Sequence, residues 1–224
     1  MTQREIVRFL ILRTVGNFLV LFALFGVFAT FGQAVAQEIR FRKEQVQGIT
    51  YLVKEAPSSQ RFSGILSKEK IKILVPKNTD FGILIPKIGA NETVIANVDP
   101  AIEEEFQLAL KKGVAHAKGT VFPGMNGTIY LFAHSTDNFW EVGRYNAVFY
   151  LIKELKENDE VVLFFEGKRF NYRVVESKIV EASDVSYLVN SQKTGEELLI
   201  LQTCWPPGTT WKRLMVFAKP TKST

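Results

Sequence analysis

From Thr14 to Gln37 the chain carries no charged side chain. Its core, TVGNFLVLFALFGVFATFG, spans roughly 28 Å as a helix, close to the hydrocarbon thickness of a bilayer. A helix satisfies its own backbone hydrogen bonds, so lipid can solvate it. Arg4, Arg8 and Arg13 precede the span and outweigh Glu5. Positive charge before a span and a large domain after it predict an inside amino terminus and an outside remainder. The expected division is a cytoplasmic basic tail over 1–13 and a transmembrane anchor over 14–36. Ala34-Val35-Ala36 resembles a leader-cleavage site. The uncharged stretch is longer than a usual leader core, which favours a retained anchor. Either way the remainder is exported, and the expected localisation is a single-pass cell-membrane protein.

The remaining sequence reads as one domain with an appendage. Apolar residues make up 46% and charged residues 23%, a globular balance. The net charge of +5 is scattered, with no arginine-rich block interleaved with aromatics, so no nucleic-acid partner is expected. Residues 37–80 are mixed and lysine-rich, with a Pro57-Ser58-Ser59 break, and read as a juxtamembrane stalk partly packed on the domain. The compact domain is expected over 81–224. Within it, Asp99-Pro100 predicts a helix start, Glu103, Glu104 and Glu105 suit the positive end of its dipole, and Gly113 closes it. The three acids lack the spacing of a calcium loop. GTIYLFAH, EVVLFFEG, KRFNYRVVESKIV, ELLILQT and RLMVFAK read as strands, with a hairpin turn at Glu166-Gly167. Short helices are expected around Asn146–Leu155 and Asp184–Leu188. The pattern is mainly β and fits an antiparallel sandwich or a closed barrel equally.

Cys204 is the single cysteine. It has no disulfide partner in the chain, and one cysteine does not make an ordinary zinc site, so no metal or cofactor is expected. It is either a small buried hydrophobe or a reactive thiol. Its place favours the second reading: an apolar strand ends at Thr203-Cys204, a Trp-Pro-Pro-Gly-Thr loop follows, and a new strand starts at Arg213. Neighbouring antiparallel strands would bring Cys204 and Arg213 together. His134 likewise closes a strand-like run, ahead of Ser135, Thr136 and Asp137, although a polar residue ending a strand needs no function. Cysteine acyl transfer requires a thiolate, a proton carrier near neutral pH and an oxyanion donor. Cys204, His134 and Arg213 supply those three types.

Ile200-Leu201-Gln202-Thr203-Cys204, followed by Arg213, resembles the T-L-x-T-C signature of the sortase family, with Ile200 in place of the usual threonine. Ile85-Pro86-Lys87-Ile88-Gly89 resembles the family's opening strand. Gly113-Val114-Ala115-His116, Gly119-Thr120, Pro123-Gly124 and Asn126-Gly127 resemble the run into its histidine, which stands here as Ala133-His134 rather than Gly-His. Phe149, Ile152, Leu155 and Asp159 continue the likeness, with Asn158 where glycine is common. The resemblance covers about Phe81 to Pro220. It implies a closed, mostly antiparallel β-barrel with short helices. It also implies a cysteine transpeptidase acting on a surface-protein or pilin substrate with a carboxy-terminal Leu-Pro-x-Thr-Gly-like sorting signal, and an amine acceptor of the cell envelope. It carries the catalytic roles to His134, Cys204 and Arg213, makes Thr203 a substrate-side neighbour, and leaves His116 to the fold. The rival readings are a secreted cysteine protease and a catalytically silent binding barrel on a membrane tether.

Overall fold

Helix α1 runs without a break over Gln3–Val46. In its first part, Gln3–Ala29, it is long and apolar enough to cross a membrane, and this stretch is not buried against the rest of the molecule. The computed structural model describes residues 3–53, 70–135, 148–189 and 195–221. Pro57, Ser58, Ser59, Thr136, Asp137 and the start of the helix expected from Asn146 lie outside them.

The last turns of α1 lie on the domain. Phe41 is 4% exposed, and burying a phenylalanine contributes about 2–3 kcal/mol. Around it Glu38 pairs with Lys153 at 3.1 Å and with Arg42 at 2.9 Å, Arg42 reaches Glu154 at 3.5 Å, and Glu44 meets Lys72 at 2.9 Å. Tyr51 donates to Glu44 at 2.8 Å. Burial pushes the Glu38 carboxyl up, but hydrogen bonds from Lys153 and Arg42 outweigh it and hold it below the usual carboxylate range. Part-exposed pairs of this kind contribute about 0–1 kcal/mol each, so Phe41 is the larger single term.

Strands β1 (Ile49–Val53) and β2 (Lys70–Leu74) form a small parallel sheet. Val53 and Leu74 cover the outward Leu84, Val162 and Phe164. Thus parts of the 37–80 segment pack directly on the domain.

That domain is a closed eight-stranded barrel, as the family resemblance implied. Its strands are β3 (Phe81–Ile85), β4 (Ala90–Val98), β5 (Val114–Ala117), β6 (Thr128–Phe132), β7 (Glu160–Phe165), β8 (Lys168–Glu181), β9 (Leu198–Trp205) and β10 (Lys212–Pro220). Their order around the wall is β10-β8-β7-β3-β4-β5-β6-β9. The β4–β5 and β6–β9 pairings are parallel and the others antiparallel. Inward side chains alternate along each strand and make the core: Ile83, Ile85, Ile129, Leu131, Leu163, Leu199, Leu201 and Val216 are essentially inaccessible. The β7–β8 turn puts Glu166 at φ 50° and Gly167 at φ 74°. Two left-handed central residues match the twist of a tight hairpin.

The helix after β4 starts later than the sequence predicts. α2 spans Glu103–Leu110 with Ile102 in the capping position. Asp99 instead closes a turn, accepting from the Ala101 N–H at 3.0 Å, while Glu105 reaches back to the Asp99 N–H at 2.8 Å. A first-turn acid thus captures the donor and delays the helix. Gly113 then enters β5 so close to β4 that a Cβ would lie 2.2 Å from the Thr93 carbonyl oxygen. The helix expected near Asn146–Leu155 is a 3-10 helix over Tyr150–Glu154, and α3 covers Ser186–Val189.

His116 is buried in the fold. It accepts the Asn97 N–H on Nδ1 at 3.3 Å, and its Nε2 lies 3.1 Å from the Val121 carbonyl oxygen. The acceptor role of Nδ1 puts the proton on Nε2. Phe122 stacks on the ring with 4.6 Å between centroids. Burial pushes the imidazole below its usual value, against the opposing pull of the Val121 carbonyl. The folded state therefore holds His116 neutral while the unfolded chain protonates near pH 6.5. Its contribution is fully present above that pH and is lost as pH falls below it. The urea midpoint should drop between pH 7.5 and 5.5, and the drop should shrink in His116→Gln; equal drops would remove His116 as the cause.

Candidate active site

Residue parity along three adjacent strands brings the candidate side chains to one face. On β9, Leu199, Leu201 and Thr203 point into the barrel, so Ile200, Gln202 and Cys204 point out. On β10, Leu214 and Val216 point in, so Arg213, Met215 and Phe217 point out. On β6, Ile129 and Leu131 point in. His134 stands two residues beyond the end of β6.

Register brings them to one end. Arg213 sits opposite Cys204 in the antiparallel β9–β10 ladder. On the other flank β6 runs parallel to β9, with Phe132 beside Gln202. The Ala133 N–H then donates to the Gln202 carbonyl at 3.1 Å, and the Thr203 hydroxyl donates to the Ala133 carbonyl at 2.9 Å. These bonds carry the β6–β9 contact one residue past the regular strand, to Ala133, with His134 and Cys204 next along their chains. Arg213 and Cys204 thus pair across the β9–β10 ladder, and the end of β6 lies on the other flank of β9. All three residues are half-buried.

The electrostatics around the thiol oppose one another. Burial pushes the Cys204 thiol up, and the Arg213 charge pulls it down without cancelling the rise. Burial and a nearby cation together therefore leave a group that holds its proton at neutral pH. Arg213 is braced by the β9–β10 loop, where Nη1 donates to the Thr210 carbonyl at 3.0 Å and the Lys212 carbonyl at 3.2 Å. The remaining N–H groups of the fork are on Nε and Nη2. The loop holds itself in place through Thr209, whose N–H and hydroxyl both bond the Pro206 carbonyl. Trp211 projects from it, 72% exposed.

Thr203 differs in placement from its three companions. It is 2% exposed and faces the barrel interior. Its hydroxyl is engaged by Ala133, so it braces the backbone that presents His134 rather than lining the outer face.

The sequence reading missed two residues on this face. Gln202 lies one outward position below Cys204, and Tyr130 donates to its Oε1 at 2.8 Å. Burial keeps the Tyr130 phenol protonated well above its ordinary range. Counting back by two from Cys204 would have found Gln202. Tyr130 is legible only once β6 is known to lie beside β9. Among the described residues no cluster of histidine, cysteine and acid side chains suits a metal ion.

Residues 83–221 match the Sortase domain family model. A sortase D of Bacillus subtilis (strain 168) is 34% identical over 142 residues, which are 62% of this chain and 62% of that protein. The match therefore spans less than two thirds of the relative's length. Among solved structures, a Clostridium perfringens sortase described as a transpeptidase is 23% identical with a TM-score of 0.50, over 74% of this chain and 89% of that one. Sortase A from Corynebacterium diphtheriae is 20% identical with a TM-score of 0.53, over 76% of this chain and 72% of that one. At these identities the two structures speak for the fold.

Proposed function

Because this chain belongs to the sortase family, we propose that it is a membrane-anchored cysteine transpeptidase with His134, Cys204 and Arg213 as its catalytic residues. The observation that supports the reading is the register that sets Arg213 opposite Cys204, with β6, which His134 follows, running beside β9.

The substrate is a surface protein or pilin with a carboxy-terminal sorting signal similar to Leu-Pro-x-Thr-Gly. The Cys204 thiol passes its proton to His134, and the thiolate attacks the carbonyl carbon of the threonine-like residue, forming a C–S bond. Arg213 steadies the resulting oxyanion, as a fixed cation with several N–H donors is suited to do. The C–N bond breaks as His134 protonates the leaving amine. An incoming amine of the cell envelope or of a pilin subunit loses a proton to His134 and attacks the thioester, and the thiol departs. Splitting one amide exchange into two steps is what a covalent intermediate contributes. Thr203 acts as a positioning residue for His134. The raised thiol makes the reactive thiolate a minority species at neutral pH, so activity should climb on the alkaline side.

We assign the amino terminus to the cytoplasm, on the strength of Arg4, Arg8 and Arg13 ahead of the uncharged run of α1 that begins at Thr14. Protease added to intact spheroplasts should digest the barrel, and a protected barrel would reverse the orientation. Retention of the anchor is supported by the continuity of α1 through Ala36, since cutting there would cut a regular helix.

Full-length protein in detergent, incubated with a sorting-signal peptide with and without a strong amine, tests the function. Amine-dependent joined product is expected. Hydrolysis indifferent to amine would make the chain a protease, and no turnover would leave a binding barrel.

A further inference from the structure

The strands that present His134 and Cys204 run toward the same rim as β3. β6 is antiparallel to β5, β5 is parallel to β4, and β4 is antiparallel to β3. The Pro86–Ile88 turn at the end of β3 therefore sits on the catalytic rim, and so does the start of β7, which the 3-10 helix Tyr150–Glu154 feeds. Those two pieces touch each other, and α1 touches the second. The anchor helix thus grips the barrel at the rim that carries the proposed active site.

The grip is specific. Phe41 is buried there, and both sides of it are tied: Glu38 to Lys153 and Arg42 to Glu154 on the barrel, Glu44 to Tyr51 and Lys72 on the small sheet. The first of these contacts lies close to the lipid. From Ala29, where the apolar stretch ends, to Glu38 the helix rises about 14 Å. No break in α1 separates the two. A chain that needed only a tether would be served by a flexible linker.

We propose that α1 is a rigid strut that clamps the catalytic rim at a set height over the bilayer, matching it to a second polypeptide anchored in the same membrane. The inference rests on the transpeptidase reading for the nature of the partner, but not for the strut itself. A fixed mount raises the effective concentration of a chain end presented at the matching height and lowers it elsewhere. A flexible tether samples many heights and discriminates little.

Two measurements on full-length protein in lipid test it. In the first, spin labels replace Val35 and Ile179 in a Cys204→Ser background, both positions being exposed. The distance distribution should be narrow, and should broaden when Phe41→Ser and Lys153→Glu are added. In the second, the sorting-signal peptide is fused to a membrane span through spacers of increasing length and reconstituted with active enzyme. The wild type should show a sharp optimum, with turnover falling about 10-fold at ill-matched spacers. The Phe41→Ser, Lys153→Glu enzyme should still process the soluble peptide at the wild-type rate but give a nearly flat spacer profile. A broad distance distribution in the unaltered chain, or a flat wild-type profile, overturns the strut. Absence of turnover even on soluble peptide overturns the transpeptidase reading instead, and the spin-label measurement still decides the strut.

Discussion

Cys204→Ala should bind the sorting-signal peptide and release no product, a loss of about 10⁴-fold or more for a covalent enzyme deprived of its nucleophile. Cys204 is the only thiol in the chain, so no other side chain can form the same thioester. In the wild type a thiol-directed alkylating reagent should label Cys204 in the folded protein and abolish activity together with labelling. Mass spectrometry during turnover should find the substrate fragment on Cys204 as a thioester that hydroxylamine removes. His134→Ala should fail in another way, keeping an alkylatable thiol while losing proton delivery to the leaving amine. A Cys204 that resists labelling until the protein is denatured would be a packing residue, and the catalytic assignment would fall with it.

Arg213→Lys should cost about 100- to 1000-fold in turnover, the usual loss when one oxyanion donor is removed. Lysine keeps the positive charge but not the planar fork, and the loop carbonyls of Thr210 and Lys212 that brace Nη1 fit the guanidinium. The two properties separate by pH. Because the Arg213 charge draws the thiol down, Arg213→Ala should move the alkylation profile of Cys204 further alkaline. Arg213→Lys should leave that profile close to the wild type while turnover collapses. Near-normal turnover in the lysine variant would reduce Arg213 to a distant charge.

Most of this arrangement could be read from the chain before any coordinates, and what could not has a physical cause. The Glu166-Gly167 hairpin was legible because two successive left-handed residues leave few alternatives. The β9–loop–β10 unit was legible because its contacts are local in sequence, so the nearness of Cys204 and Arg213 followed from chain connectivity. The side-by-side placement of β6 and β9 was not available from pattern alone. It depends on a parallel pairing between strands far apart in sequence, which alternation does not encode. The choice of barrel over sandwich came from family resemblance for the same reason. The start of α2 was misplaced because Glu105 reaches back to the Asp99 N–H, a side-chain contact that the capping pattern does not encode. The substrate-side role of Thr203 came from the family resemblance, and its inward, buried side chain was legible only from the parity of β9.

The parallel seam between β6 and β9 also sets the order of events in the life of the molecule. Residues 128–132 meet residues 198–202 there, and pairings so distant in sequence are among the slowest to form. Before the seam closes, the chain has a thiol and an imidazole but no relation between them. On the proposed mechanism, a chain whose seam is still open would be inactive. In a refolding time course the local β7–β8 hairpin should gain protection from exchange early, and turnover should appear last, with the closing of the seam. Turnover that preceded closure would show that the histidine finds the cysteine by another route.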